Sequence, residues 1–265
     1  MTFEALTYEV RDQVALITLN RPKTRNALDL TMRAELSDVV TMLREDADLR
    51  AAVITGSGGS FCAGGDLKSL SESRRPTTAN RKRIQNLHTW LPELVDLELP
   101  VIAAVDGPAF GAGINLALAA DFVLATPRAK FCAVFGRIGL VPDMGGFFLL
   151  PRIVGLQNAK DLVFTARTVE AEEAKSLGMV KEIVPEEGFV DHALAFAGRF
   201  KNASRDAIGM AKTILNRSTE SDQRTLGEME SYAQAVCMES DYHHEAVRRF
   251  LGKEQLAFDW DRADD

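Results

Sequence analysis

The 265-residue chain has little of what would mark it as secreted, membrane-bound or metal-stapled. Its three cysteines, Cys62, Cys132 and Cys237, are odd in number and far apart. No CxxC pair or Cys/His spacing suggests a metal site, so they read as buried small hydrophobes in a reducing compartment. No run approaches the ~18 consecutive apolar residues that a membrane span needs, and the opening MTFEALTYEV carries acids where a secretory signal would be apolar. A cytoplasmic location without membrane attachment is expected. Positive charge is also short: the formal net charge is -7. Phosphate-backbone affinity needs clustered Lys and Arg over a broad surface, so nucleic acid is not an expected partner, although a local basic pocket remains allowed.

What is present is core material, with 46% hydrophobic and 26% charged residues, as in ordinary globular chains. Short β-branched runs recur as VALITLN (14–20), AAVITG (51–56), PVIAAVDG (100–107), DFVLATP (121–127) and MVKEIVP (179–185). Each ends near Gly, Pro or Asn, as buried strands do. Helical spacing lies between them at 27–46, around 80–97, at 113–121 and at 171–177. Alternation of strand and helix predicts an α/β fold built on a repeated strand-strand-helix unit. After about residue 190 the strand signal stops and four amphipathic stretches follow. The segment SESRRPTTANRKR (71–83) is polar and basic, and reads as a mobile loop or a helix joined by one.

Two glycine-rich segments follow strands: ITGSGGSFCAGGDL (54–67) and VDGPAFGAGINLALAAD (105–121). Neither has the spacing of a phosphate loop or a dinucleotide fingerprint. In the second, a glycine turn opens a helix whose first N–H groups lack intrahelical acceptors and are available to a developing negative charge. Close backbone packing is the alternative use of such glycines.

Taken in order, NRPKTRNALDLTM, FCAGGDL, GPAFGAGINLALAAD, FGRIGLVPDMGGFFLLPRIVG, AEEAKSLGMVKEIVP and AIGMAKTIL resemble the crotonase, or enoyl-CoA hydratase/isomerase, family over nearly the whole chain. The resemblance implies a crotonase-like spiral of strand-strand-helix repeats with a C-terminal helical segment. It divides the chain into an acyl-CoA-binding core at 1–195 and a helical trimerisation segment at 196–265. It implies a coenzyme A thioester substrate, no separate cofactor or metal, and a homotrimer or homohexamer. Gly65 and Ala112 would supply the backbone N–H groups that hold the thioester oxygen. Lys23, Arg25, Ala63, Asp66 and Lys253 would meet CoA, with Lys253, on the last helix, reaching over from a neighbouring subunit.

Hydratases of this family resemble GGCEL in the second segment and PE ahead of the third. Here Asn115 and Phe135 stand at those positions, and neither can act as a base. Asp143, in VPDMGG, matches the acid used by the family's isomerase branches. Phe110, Phe135, Met144, Phe147 and Phe148 would surround it with apolar surface that raises its pKa. An N-cap for the following helix is the other reading of this residue. Phe110, Phe135, Asn115 and His88 are expected to line the acyl pocket. The leading expectation is double-bond migration in an enoyl-CoA or ring-containing acyl-CoA, as in fatty-acid metabolism. The alternatives are a hydratase with an atypical site, an aryl-CoA dehalogenase-like hydrolase using Asp143 and His88, and a non-catalytic acyl-CoA- or RNA-binding relative.

Overall fold

The computed structural model describes residues 2–67 and 75–261. Six strands form the main sheet: β1 (Leu6–Arg11), β2 (Val14–Leu19), β3 (Ala51–Gly56), β4 (Val101–Val105), β6 (Phe122–Ala125) and β9 (Glu182–Ile183), in the order β1-β2-β3-β4-β6-β9. Only β1 runs antiparallel; the other neighbours pair parallel. β5 (Pro108–Phe110), β7 (Lys130–Cys132) and β8 (Val169–Glu170) make a small second sheet.

The central strands are covered on both faces, which explains their continuous apolar runs. Along β3, Ala52 and Ile54 enter one core, with Met32, Leu36, Val40 and Leu43 of helix α1 (Leu30–Glu45). Their neighbours Ala51 and Val53 enter the other, beneath Phe189, Ala193, Phe196 and Ala197 of Phe189–Gly198. The division at 195/196 thus falls inside a helix that packs on the sheet. The buried stripe of α1 lies on i, i+4 positions, and its start is fixed by Asp29, whose carboxylate accepts the Met32 N–H at 2.9 Å.

Among the described residues no strand follows Ile183. The chain ends in helices Arg205–Arg217, Gln223–Met238 and Asp241–Leu251, and the last two bury no residue. The segment read as a mobile loop or a helix joined by one runs into the helix Thr77–Gln85, called α2; its residues 71–74 lie outside the described residues. Cys62 and Cys132 are buried as expected, whereas Cys237 is only partly covered. Among the described residues no helix is long and apolar enough to cross a membrane.

Candidate active site

The two glycine segments are locked together by backbone pairing. The Cys62 N–H donates to the Pro108 carbonyl at 3.0 Å, and the Phe110 N–H donates back to the Cys62 carbonyl at 2.9 Å. Such an approach leaves no space for side chains. A Cβ on Gly113 would lie 2.2 Å from the Cys62 carbonyl oxygen, and one on Gly64, at φ +94°, 2.7 Å from that of Phe110 and 3.3 Å from the Ala112 nitrogen.

This apposition sets two N–H groups side by side. Gly65 pairs with Leu28 through its neighbours: Leu28 N–H to Gly64 carbonyl at 2.7 Å, and Asp66 N–H to Leu28 carbonyl at 3.3 Å. The alternation of a parallel strand then turns the N–H of Gly65 itself away from Leu28. Ala112 is the first residue of α3 (Ala112–Leu118), where an N–H has no intrahelical acceptor. Among the described residues neither N–H has a hydrogen-bond partner. Two unoccupied donors on a glycine-formed ledge suit a carbonyl oxygen gaining negative charge. Cys62, beneath them, is no nucleophile, because burial pushes its thiol up to about 12.

Asp143 is tethered to the same helix. Asn115, one turn along α3 from Ala112, donates from Nδ2 to the Asp143 backbone carbonyl at 2.8 Å, and Gly146 N–H donates to the same oxygen at 2.9 Å. Asn115 is 1% exposed and braces the acid. The carboxylate does not cap the following helix, α4 (Gly146–Thr165): the cap position is Gly145, and no side chain caps it. Instead Asp143 Oδ1 is buried without a hydrogen bond. Burial pushes the carboxyl above its ordinary range, opposed by the positive charges of Arg33 and Arg83, and then by His88.

Its surroundings differ from the expected aromatic cage. Met144 and Phe135 are buried, but Phe147 and Phe148 are 62% and 37% exposed, and Phe148 lies under the Arg152 guanidinium at 3.6 Å. The first turn of α4 directs them outward. Arg33 of α1 is present in their stead, a residue that the motifs did not reveal. Its signal in the sequence is a basic residue three positions before Leu36 on the buried side of an amphipathic helix.

The remaining candidates fall in three places. Phe135, in the short helical turn Val134–Ile138, lies 3.9 Å from where a Gly111 Cβ would stand, so it packs against the glycine turn before Ala112; Phe110 lies half-buried on β5. Lys23 and Arg25 are exposed on the loop before α1, and that loop is tied to the ledge by the Ala63 N–H to Arg25 carbonyl bond at 2.9 Å. Asp66 is engaged by Arg21, which also pairs with Asp29, at 3.2 and 3.0 Å. Buried Asn26, missed by the sequence reading, holds the loop through Nδ2 to the Ser57 and Ser60 carbonyls at 2.9 and 2.7 Å. His88 is exposed in the turn Asn86–Thr89 and borders a cleft of 260 Å³ with Leu91 and Phe148. Lys253 is exposed just beyond the last helix, which stops at Leu251, and is therefore not on it. No cluster of potential metal ligands occurs among the described residues.

The sequence family described as Enoyl-CoA hydratase/isomerase matches residues 9–262. A probable enoyl-CoA hydratase of Rhodobacter capsulatus is 37% identical over 254 residues, 96% of this chain and 97% of the relative. A 1,2-epoxyphenylacetyl-CoA isomerase of Escherichia coli is 32% identical over 257 residues, 96% of this chain and 98% of that one. Among solved structures, an enoyl-CoA hydratase/isomerase from Cupriavidus metallidurans CH34 superposes with a TM-score of 0.91 at 39% identity, covering 97% of each chain.

Proposed function

The chain belongs to the enoyl-CoA hydratase/isomerase family, and from that premise we propose that it moves a double bond within an enoyl-CoA or ring-containing acyl-CoA, using Asp143 as its one base. The observation that carries this reading is the buried, unbonded Oδ1 of Asp143, on a residue braced one helical turn from the free N–H of Ala112. In a 3-enoyl thioester, Asp143 takes a proton from C2. The C–H electron pair moves into the thioester, and the oxygen of the resulting dienolate is held by the N–H groups of Gly65 and Ala112. The now-neutral carboxyl returns the proton at C4 as the double bond settles between C2 and C3. Each donor of such a pair contributes about 10²–10³ in rate. None of these steps uses a metal or redox cofactor.

Hydration would be expected to use a second group to activate water. Asn115 is committed to the Asp143 carbonyl and Phe135 is apolar and buried, so neither serves. The hydratase named among the relatives motivates that second reading, in which Asp143 alone handles the water. Absorbance of the conjugated enoyl thioester separates the two. Conjugation should appear from 3-enoyl-CoA, while 2-enoyl-CoA should persist. Loss of the 2-enoyl signal with an inert 3-enoyl substrate would establish the hydratase instead.

A further inference from the structure

Between α1 and α2 lies a cleft of 560 Å³ lined by Leu30, Arg33, Arg75, Lys82, Arg83 and Trp90 among others. No Asp or Glu is among its described lining residues. Arg33 is 9% exposed, and its Nε and Nη1 are buried without a hydrogen-bond partner. Among the described residues neither Arg33 nor Arg83 forms an ion pair, and each lies close enough to Asp143 to feel its charge. Arg33 and Arg83 also oppose one another, like charges facing one space. Buried guanidinium groups are ordinarily paired, because the desolvation of an unpaired charge is costly.

We infer that this cleft receives an anionic end of the acyl group, so that the substrate is the CoA thioester of a dicarboxylic acid. A guanidinium donates charge-assisted N–H bonds to a carboxylate, and the buried Nε and Nη1 of Arg33 have no hydrogen-bond partner. Its location separates this anion from the phosphates of CoA. The exposed Lys23 and Arg25 lie on the outer loop beside the oxyanion ledge, whereas Arg33 is buried near the base, which must touch the acyl carbons. A group that meets Arg33 therefore belongs to the acyl chain beyond Asp143. Arg83, half-exposed at the rim of the cleft, closes over the same carboxylate.

The identity of the acyl group rests on the thioester reading of the site, but binding can be measured without turnover. Titration calorimetry on the native protein would compare glutaryl-, adipyl- and suberyl-CoA with neutral saturated acyl-CoA thioesters of equal length. At least one dicarboxylyl thioester should bind ten-fold or more tighter than its neutral counterpart, the range of a charge-assisted hydrogen-bonded pair. Arg33→Met should remove that preference while leaving the neutral thioester within about threefold, and Arg83→Met, a rim substitution, should reduce it partially. Equal affinities across the series would overturn the inference. So would an Arg33→Met variant that weakens both classes equally, since the arginine would then serve CoA or the fold. A dicarboxylate preference on a protein that conjugates no 3-enoyl thioester would leave this inference standing and remove the isomerase reading; conjugation without the preference would do the reverse.

Discussion

Asp143 sits where burial and charge oppose one another. Burial favours its neutral form, and Arg33 and Arg83 favour the carboxylate; the net direction is upward. Between the ordinary carboxylate pKa and the raised folded value, the native state binds more protons than the unfolded chain. Stability then falls as pH rises through that window, and the cost is complete once the pH has passed the folded value. Asp143→Asn is therefore expected to raise the melting temperature at pH 7, with the gain fading as the pH is lowered toward about 4. Calorimetric scans of both proteins across that range would check this; a loss of stability at pH 7 would mean that the carboxylate is stabilising where it stands. Arg33 shows why part of the site was hidden in the sequence. A basic residue on a helix reads as a solvated charge, and only the packing of α1 against the sheet and the neighbouring cleft buries it.

At the scale of elements, the site depends on the contact between the β3 loop and the start of α3. Gly64→Ala would place a methyl against the Phe110 carbonyl in a backbone conformation that alanine avoids. The ledge should open, with kcat falling about 10²–10³ as one oxyanion donor is misplaced, while circular dichroism keeps its native shape. An unchanged rate would show that Gly65 is not one of the donors. The interior strands were legible because burial on both faces leaves unbroken apolar runs. β1 was not: its hairpin turn uses Asp12 and Gln13, both at positive φ, with no Asn-Gly or glycine to announce it. β5, β7 and β8 have two or three residues, too few to show a period. The glycine ledge could be read from FCAGGDL and GPAFGAG because the spacing of small residues records the close approach. The bracing of Asp143 by Asn115 could not, since it joins residues 28 apart through a backbone carbonyl.

For the whole molecule, the C-terminal helices carry unspent surface. Tyr232, Phe250 and Leu251 are 73%, 71% and 75% exposed, and neither Gln223–Met238 nor Asp241–Leu251 buries a residue. Apolar surface of this kind is ordinarily covered in a soluble protein, which supports the proposal of a trimer or a pair of trimers. Sedimentation equilibrium should give three or six times the chain mass, and Tyr232→Glu combined with Phe250→Glu should shift it toward the monomer; a native monomer would refute the proposal. The assembly, however, is secondary to the assignment of the base. The most direct test is the rate of conjugation of 3-enoyl-CoA by the native protein and by Asp143→Asn, with folding checked in parallel. A fall of about 10²–10⁴ is expected if Asp143 is the base that the proposal makes it. A folded Asp143→Asn protein that conjugates within about threefold of the native rate would contradict it, because another group would then be moving the proton.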